Sequence, residues 1–159
     1  MTNLDKAFDL TTVYEGGDKT VVDSGGLTKW GVSKKAFPDL DIEKLTKDDA
    51  KAIFKKEYWD RVRGDELPWP LCFNVADAAY NMGSATAIKC LQKAISVPID
   101  GIIGRATMQR LKAADPVHTS ATFNAQCALA YTGMRRFDEY GKGWLNRLFL
   151  RMADGVKNG

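Results

Sequence analysis

Apolar residues recur at intervals of three and four along most of the chain, the spacing of amphipathic helices. Thr2 and Asp5 form a capping-box pattern ahead of the first such stripe, and Thr46-Lys47-Asp48-Asp49 is a strong N-cap for a second helix. Further stripes predict helices at 72–82, 88–95, from 107 onwards, at 116–140 and at 144–156. Gly141 to Gly143 is expected to separate the last two.

The region that follows the first helix has a different pattern. Gly16-Gly17 ends the helical spacing, and apolar residues then flank a glycine-rich turn, which predicts a short hairpin or irregular β segment over residues 18–32. The pattern as a whole predicts a mainly α fold, a helical bundle with one small β-hairpin element near the N-terminus.

Length and composition suit one soluble domain. The chain has 159 residues, 45% of them hydrophobic and 27% charged. A net charge of +3 suits an anionic polymer such as bacterial cell wall or nucleic acid, but equally reflects solubility. Nucleic-acid binding ranks low, because the basic residues occur as scattered pairs: Lys34-Lys35, Lys55-Lys56 and Arg135-Arg136.

Cysteine and histidine content argues against a metal centre or other cofactor. Cys72, Cys90 and Cys127 are three in number and lie among apolar neighbours, which favours buried free thiols over disulfides. His118 is the single histidine. The N-terminus lacks the form of a signal peptide, and the longest uncharged run, Thr119 to Met134, is too short and polar to span a membrane. We therefore expect a protein made in a reducing cytoplasm without a stable membrane anchor.

Glu15 is the first candidate for chemistry. Leu4, Phe8, Thr11 and Glu15 follow at spacings of four, three and four, which places the carboxyl on the apolar face of the first helix. A carboxyl that loses hydration is held more readily in its neutral, proton-donating form, as a general acid requires. The alternative is a helix-terminal glutamate that points to solvent.

Asp23 and Thr28 are candidates for the second half of a hydrolytic site. Glycoside hydrolysis needs an acid for the leaving oxygen and a group that manages charge or water on the other face of the sugar. A carboxylate and a hydroxyl that converge on one water would activate it, and inverting enzymes typically hold their two carboxyl groups about 6.5–9.5 Å apart. Alternatively, both residues only stabilise a turn.

A family resemblance strengthens the catalytic interpretation. Glu15-Gly16-Gly17 followed by the run from Asp23 to Val32, DSGGLTKWGV, resembles the signature of the glycosyl hydrolase 108 family. These are N-acetylmuramidases, many of them phage endolysins, related in fold to the phage T4-type lysozymes. The resemblance implies a lysozyme-like α+β fold, Glu15 in the acid position, and Asp23 and Thr28 as its companions. The family usually has proline where this chain has Ser24, which is expected to alter the turn.

Other segments resemble substrate-binding elements. Tyr80-Asn81-Met82-Gly83 resembles the element that lines the sugar cleft in phage-type lysozymes, which makes Tyr80 and Asn81 candidate substrate-binding residues. Tyr58-Trp59 is a possible sugar-stacking pair. Because Tyr58 also fits the core stripe of its helix, Trp59 is the better candidate.

The C-terminal half resembles peptidoglycan-binding modules. Leu91-Gln92-Lys93-Ala94 and the run from Asp100 to Thr107 follow the pattern of such modules, and Gly141 to Arg147 resembles the end of the predicted peptidoglycan domain that accompanies the hydrolase. We expect residues 1–159 to form a single compact lysozyme-like domain. Residues 1–82 would be its catalytic half and residues 83–159 a peptidoglycan-binding-like helical half.

The resemblance implies a monomeric endolysin that hydrolyses the β-1,4 bond between N-acetylmuramic acid and N-acetylglucosamine in peptidoglycan. It would stay in the host cytoplasm until a holin opens the inner membrane, and would then act on periplasmic peptidoglycan and lyse the host. Two alternatives remain open: a lytic transglycosylase, against which Asp23 and Thr28 argue, and a non-catalytic peptidoglycan-binding protein. Inversion or retention depends on a carboxyl separation that the sequence does not give.

Overall fold

A computed structural model of the chain describes residues 1–23 and 26–159, with the backbone alone described at Asp23. The fold is mainly α with one small β-sheet, as predicted. The seven α-helices of the described residues are α1 (Asn3–Tyr14), α2 (Lys47–Phe54), α3 (Leu71–Met82), α4 (Ser84–Ala94), α5 (Arg105–Lys112), α6 (Pro116–Thr132) and α7 (Phe137–Lys157). A π-helical turn (Lys55–Trp59) extends α2, and a 3₁₀ turn (Gly64–Glu66) precedes α3.

The predicted β element is confirmed and contains three strands. Strands β1 (Val21–Asp23), β2 (Gly26–Lys29) and β3 (Val32–Ser33) pair antiparallel in that order. Val21 lies opposite Thr28, and Thr28 lies opposite Ser33. Ser24 and Gly25 lie outside the described residues, and with them the turn that Ser24 was expected to alter.

Helix α1 begins and ends as its sequence predicts. The Thr2 hydroxyl accepts from the Asp5 backbone N–H, and the Asp5 carboxylate accepts from the Thr2 N–H, which completes the capping box. The helix ends at Tyr14 with Glu15 as its C-cap. Gly16 and Gly17 follow with φ of +88° and +66°, a conformation that glycine adopts without steric cost.

Helix α3 is the centre of the hydrophobic core. Its residues from Leu71 to Ala79 are all buried, because α1, α4, α6 and α7 all pack against it. One continuous cluster of buried apolar residues runs from Ala7 in α1 to Leu148 in α7. The N-terminal and C-terminal halves of the chain therefore share their core.

The predicted boundary between the last two helices is wrong. The expected helix at 116–140 ends at Thr132, and α7 begins at Phe137 and continues through Gly141 and Gly143. Glycine weakens a helix interior by about 1 kcal/mol, which a helix of 21 residues tolerates. Gly141 is also required by packing, since a Cβ there would lie 2.5 Å from the Phe137 ring.

The three cysteines are free and buried, as expected. Burial raises the pKa of the Cys72 thiol to about 12. Within residues 1–23 and 26–159, no helix is both long and apolar enough to cross a membrane. The same residues contain no cluster of three or more histidine, cysteine or acidic side chains able to hold a metal ion.

Candidate functional site

Glu15 lies at the end of α1, where the small sheet meets the helical core. The Trp30 N–H donates to the Gly17 carbonyl at 3.1 Å, which fastens the end of β2 to the turn directly after Glu15. The turn between β2 and β3 approaches the acid itself, since a Cβ on Gly31 would lie 3.5 Å from Glu15 Cγ. The Glu15 side chain is 28% exposed, so the carboxyl keeps access to solvent.

An arginine from the C-terminal helix holds the Glu15 carboxyl. Arg147 in α7 donates from Nη1 to Glu15 Oε1 and, at 2.9 Å, from Nη2 to Asp77 Oδ1 in α3. The guanidinium also lies over the ring of Tyr14, 5.0 Å from its centroid, and 5.6 Å from that of Tyr80. Burial lowers the pKa of Arg147, but the Asp77 and Glu15 charges outweigh burial and leave this pKa raised. Arg147 is therefore a fixed cation beside the candidate acid.

Asp77 connects this pair to the centre of the fold. Its carboxylate, 0% exposed, accepts from Arg147 on one oxygen and from Arg151 Nη1, at 3.2 Å, on the other. Arg151 donates in turn to Asn124 Oδ1, and Asn124 Nδ2 donates to Asn74 Oδ1 at 2.7 Å. Buried charges persist only when they are paired and hydrogen-bonded, and these residues satisfy that condition with alternating signs.

Tyr80 packs beside Glu15 and fixes the sheet to α3. Its hydroxyl donates to the Gly31 carbonyl at 2.7 Å. Burial raises the pKa of Tyr80 and the Glu15 charge raises it further, so the phenol stays protonated and donates. Tyr80, Gly31 and Glu15 also line a small cavity beneath the carboxyl, together with apolar side chains of α1, α2 and the sheet.

The predicted companions of Glu15 lie on the sheet. Thr28 is central in β2, and its hydroxyl is buried with no hydrogen-bond partner among the described residues. Asp23 ends β1 and pairs with Gly26, but its side chain lies outside the described part of the structure. The separation of the Glu15 and Asp23 carboxyl groups therefore stays a prediction.

Asn81 is exposed at the end of α3, but its amide is turned inward. Its Nδ2 donates to the Asp77 carbonyl at 2.7 Å and to Asp77 Oδ2 at 3.1 Å. Asn81 thus adds a third donor to the Asp77 carboxylate, after Arg147 and Arg151. Binding of a sugar by Asn81 stays a prediction.

Trp59 does not have the surface position that sugar stacking requires. The side chain is 0% exposed, and its Nε1 donates to Asp65 Oδ1 at 2.9 Å. Gly64 packs against the ring so closely that a Cβ there would lie 2.4 Å from it. Trp59 ends the π-helical turn and is buried in the core, although it was preferred to Tyr58 as the sugar-stacking candidate because Tyr58 fits the core stripe.

The glycine loop of the C-terminal half is held from within. Gln92 is fully buried and donates to Asp100 Oδ1 at 2.6 Å and to the Ile102 carbonyl at 2.9 Å. The side-chain oxygen of Gln92, Oε1, accepts from the Gly101 N–H at 2.8 Å. The glutamine and aspartate of the motif therefore stabilise the turn before α5. This account explains their presence without a ligand.

Sequence reasoning missed Arg147, Asp77 and Arg151 as members of the site. Arg147 ends the run from Gly141 that resembles the accompanying peptidoglycan domain, so a signal for it was present. Arg147 and Arg151 are also one helical turn apart, which places them on the same face of α7. Asp77 lies in a helix, Leu71–Met82, that carries apolar residues on nearly every side, and an acidic residue in such a helix signals a paired charge.

Comparison with known proteins agrees with this geometry. Residues 8–83 match the family model described as Glycosyl hydrolase 108. The match covers just under half of the chain, and residues 8–83 are similar to this family. The resemblance seen in the glycine-rich signature is thereby confirmed. The match indicates a glycoside hydrolase, with peptidoglycan as the substrate class that the family suggests.

The glycosyl hydrolase 108 match ends at Gly83, but structural similarity continues beyond it. The structure of Brucella abortus SagA superimposes on this chain with a TM-score of 0.84 and 28% sequence identity, covering 97% of this chain and 94% of that one. No curated protein matches the chain. The fold that carries Glu15, Asp77 and Arg147 is thus shared with a solved structure along nearly its full length.

Proposed function

We propose that this protein is an N-acetylmuramidase that hydrolyses the β-1,4 bond between N-acetylmuramic acid and N-acetylglucosamine in peptidoglycan, with Glu15 as its general acid. The observation that carries the proposal is the position of Glu15. This carboxyl is partly exposed, lies in the family signature, and is fixed between α1, α3 and α7 by Arg147.

Arg147 supports the acid role of Glu15 because Glu15 becomes negatively charged during the reaction. When Glu15 donates its proton to the leaving oxygen, it becomes a carboxylate. The guanidinium is already in hydrogen-bonding position and stabilises that product state without reorganisation. The same contact restrains the rotamer of Glu15, so that the proton is presented in one direction.

Thr28 and Asp23 form the water-handling side of the proposed site. The Thr28 hydroxyl is buried and has no hydrogen-bond partner among the described residues, so it would have unused hydrogen-bonding capacity for a nucleophilic water that enters the site with substrate. Asp23, on the neighbouring strand, would accept a proton from that water. Tyr80 and Asn81 would line the sugar cleft, Tyr80 through its ring and Asn81 through the oxygen of its side chain, whose nitrogen donates to Asp77.

The decisive experiment compares the wild type with Glu15→Gln and a control variant, Glu43→Gln, in which an exposed glutamate is changed. Turbidity of outer-membrane-permeabilised Gram-negative cells is followed, and the released fragments are reduced and weighed. We expect lysis by the wild type and Glu43→Gln only, with reducible N-acetylmuramic acid ends. Lysis by Glu15→Gln would show that another residue is the acid.

The same fragments separate the alternatives. A lytic transglycosylase leaves 1,6-anhydromuramoyl ends and consumes no water. If all released fragments carried anhydro ends, the protein would be a transglycosylase and the hydrolase assignment would be wrong. A non-catalytic wall-binding protein would sediment with isolated cell walls and release no fragments, with or without Glu15. We favour the hydrolase because Thr28 offers a hydroxyl to water, for which a transglycosylase has no use.

We further propose that the protein is a phage endolysin that acts as a monomer and reaches periplasmic peptidoglycan through a holin. The signature and its resemblance to endolysins support this assignment. Expression in a Gram-negative host with and without a holin, followed by fractionation, tests it. We expect lysis only when both are present, and periplasmic protein without the holin would contradict the proposal.

A further inference from the structure

Asp77 has a larger part in the site than a buried ion pair requires. Its carboxylate and that of Glu15 accept from the two terminal nitrogens of one guanidinium, on Arg147. The Nε of Arg147 is buried and has no partner among the described residues. The hydrogen bonds that hold the guanidinium therefore run from its two terminal nitrogens to Glu15 and Asp77. How firmly Arg147 holds Glu15 therefore depends on how firmly Asp77 holds Arg147.

We infer that Asp77, itself balanced by Arg151, is a positioning residue that sets the pH at which Glu15 gives up its proton. This inference rests on the proposed role of Glu15 as general acid. Asp77 acts through Arg147 and touches no substrate. Asp77 is not part of the glycine-rich signature and lies 62 residues after Glu15 in the sequence.

The charge count explains why a second carboxylate is needed. With Glu15 ionised, the chain Glu15–Arg147–Asp77–Arg151 contains two negative and two positive charges. If Asp77 were neutral, two arginine charges would face Glu15 alone, and the ionised form of Glu15 would be strongly favoured. A general acid must carry its proton before the reaction, so Asp77 opposes the excess of positive charge.

Asp77 also keeps Arg147 in place while Glu15 is protonated. A neutral Glu15 holds a guanidinium less firmly than a carboxylate does. In that state Arg147 remains fixed by Asp77 at 2.9 Å, and Asp77 remains fixed by Arg151 and Asn81. The arginine is therefore already positioned when Glu15 becomes negative.

Other ionisable groups near Glu15 do not replace Asp77 in this role. Tyr80 donates to Gly31, and burial raises its pKa, so it stays neutral. Tyr14 donates to Asp154 in α7 at 2.5 Å, and burial and that bond raise its pKa as well. From the sheet, Asp23 is the remaining acidic residue of the signature, with its side chain outside the described part.

The test changes the charge of the two residues, Asp77 and Arg151, that lie beyond Arg147 as seen from Glu15. Asp77→Asn removes a negative charge, so Glu15 should lose its proton at lower pH. Arg151→Met removes a positive charge, so Glu15 should keep its proton to higher pH. A directly contacting charge shifts such an equilibrium by 1–3 pH units, and through one intervening guanidinium we expect shifts of about 1 unit, opposite in sign. Arg151→Lys, which keeps the charge, should shift little.

Two readouts are needed. The alkaline limb of the pH–activity profile on cell walls reports the acid in turnover. The carboxyl ¹³C titration of labelled protein, with the Glu15 signal assigned by its loss in Glu15→Gln, reports the same proton without turnover. If Glu15 titrates as predicted but Glu15→Gln still lyses walls, the proposed function fails and the coupling stands. If Glu15→Gln is inactive and the variants leave the titration unchanged, the coupling is overturned.

A further variant, with both residues changed, keeps the inference testable if the single variants fail to fold. Asp77→Asn leaves Arg151 without its carboxylate, and unpaired buried charges are strongly destabilising. Asp77→Asn combined with Arg151→Met removes the whole pair, a change that proteins often tolerate. In this double variant Glu15 is the one described carboxylate that still accepts a hydrogen bond from Arg147. Glu15 should therefore titrate at lower pH than in the wild type, with a smaller shift than in Asp77→Asn. An unchanged or upward shift in a folded double variant would refute the inference.

Discussion

Replacing Gly31 by alanine tests whether the sheet and Tyr80 together hold Glu15. Gly31 has φ of +74°, and a Cβ there would lie 2.7 Å from the Tyr80 hydroxyl and 3.5 Å from Glu15 Cγ. Alanine in this backbone conformation costs about 1–2 kcal/mol. Displacing Tyr80 breaks its bond to the Gly31 carbonyl, which costs about 1 kcal/mol more.

Gly17→Ala is the matched control for backbone strain. Gly17 has φ of +66°, and no described residue has an atom within 4 Å of its Cβ position, so alanine there meets strain without a collision with them. For a chain of this length each kcal/mol lowers Tm by about 2–4 °C. Gly31→Ala should therefore lower Tm by about 4–12 °C and Gly17→Ala by about 2–8 °C.

Activity should separate the two variants more clearly than stability does. A displacement of about 1 Å at a catalytic group costs about 100-fold in rate, and Gly31→Ala pushes directly toward Glu15 and Tyr80. Gly17→Ala should stay within a few-fold of the wild type. Rates are measured on cell walls well below both Tm values, determined by circular dichroism.

A double variant checks the cause of the difference. Tyr80→Phe removes the hydroxyl that the new Cβ would meet, so Gly31→Ala should lose about 1 kcal/mol less in that background than in the wild type. Equal losses in both backgrounds, or equal activity of Gly31→Ala and Gly17→Ala, would refute the argument that this glycine is needed for the close approach.

Three further outcomes follow from burial and charge. Trp59→Phe should lower the free energy of unfolding by about 1–3 kcal/mol and leave the KM for cell walls unchanged; a raised KM at unchanged stability would restore the sugar-stacking hypothesis. Ellman's reagent should react with none of the three cysteines in native protein and with all three after denaturation, and rapid native reaction would contradict their burial. The Thr2 backbone and hydroxyl and the Lys51 ammonium hold the pKa of Asp5 below its ordinary value, so its stabilising effect is present at neutral pH and lost as pH falls through the acid range. Asp5→Asn should therefore be less stable than the wild type at pH 7, measured by urea unfolding, and the gap should close toward pH 2.

Local structure was predicted best from the sequence where it depends on residues that are adjacent along the chain. The expected capping box at Thr2 and the expected N-cap at Thr46 need only a hydroxyl and a carboxylate three residues apart, and both form, the second also as a full capping box. The glycine-rich segment after Glu15 likewise predicted the β element. Failures came where packing overrode local preference: Trp59 is buried by Gly64, and α7 continues through Gly141 because the Phe137 ring occupies the space of a Cβ.

The ion pairs around Glu15 were beyond such reasoning, because their members come from distant parts of the chain. Glu15 and Arg147 are 132 residues apart, and Asp77 lies between them on a third helix. Nothing local to Arg147 distinguishes it from an exposed arginine. What identifies it is the packing of α7 on α3, which sets its guanidinium between two carboxylates.

This arrangement also bears on how the two halves of the chain divide their work. Arg147 and Arg151 belong to the half expected to resemble a peptidoglycan-binding module, yet both donate to carboxylates of the half that contains the hydrolase signature. Residues 1–82 alone would leave Asp77 buried without either arginine, and the apolar face of α3 without α4, α6 and α7. We therefore expect a fragment ending at residue 82 to be unfolded and inactive. Mixing it with residues 83–159 should restore activity only if the two fragments reassociate, and an active isolated fragment would show that Glu15 works without Arg147.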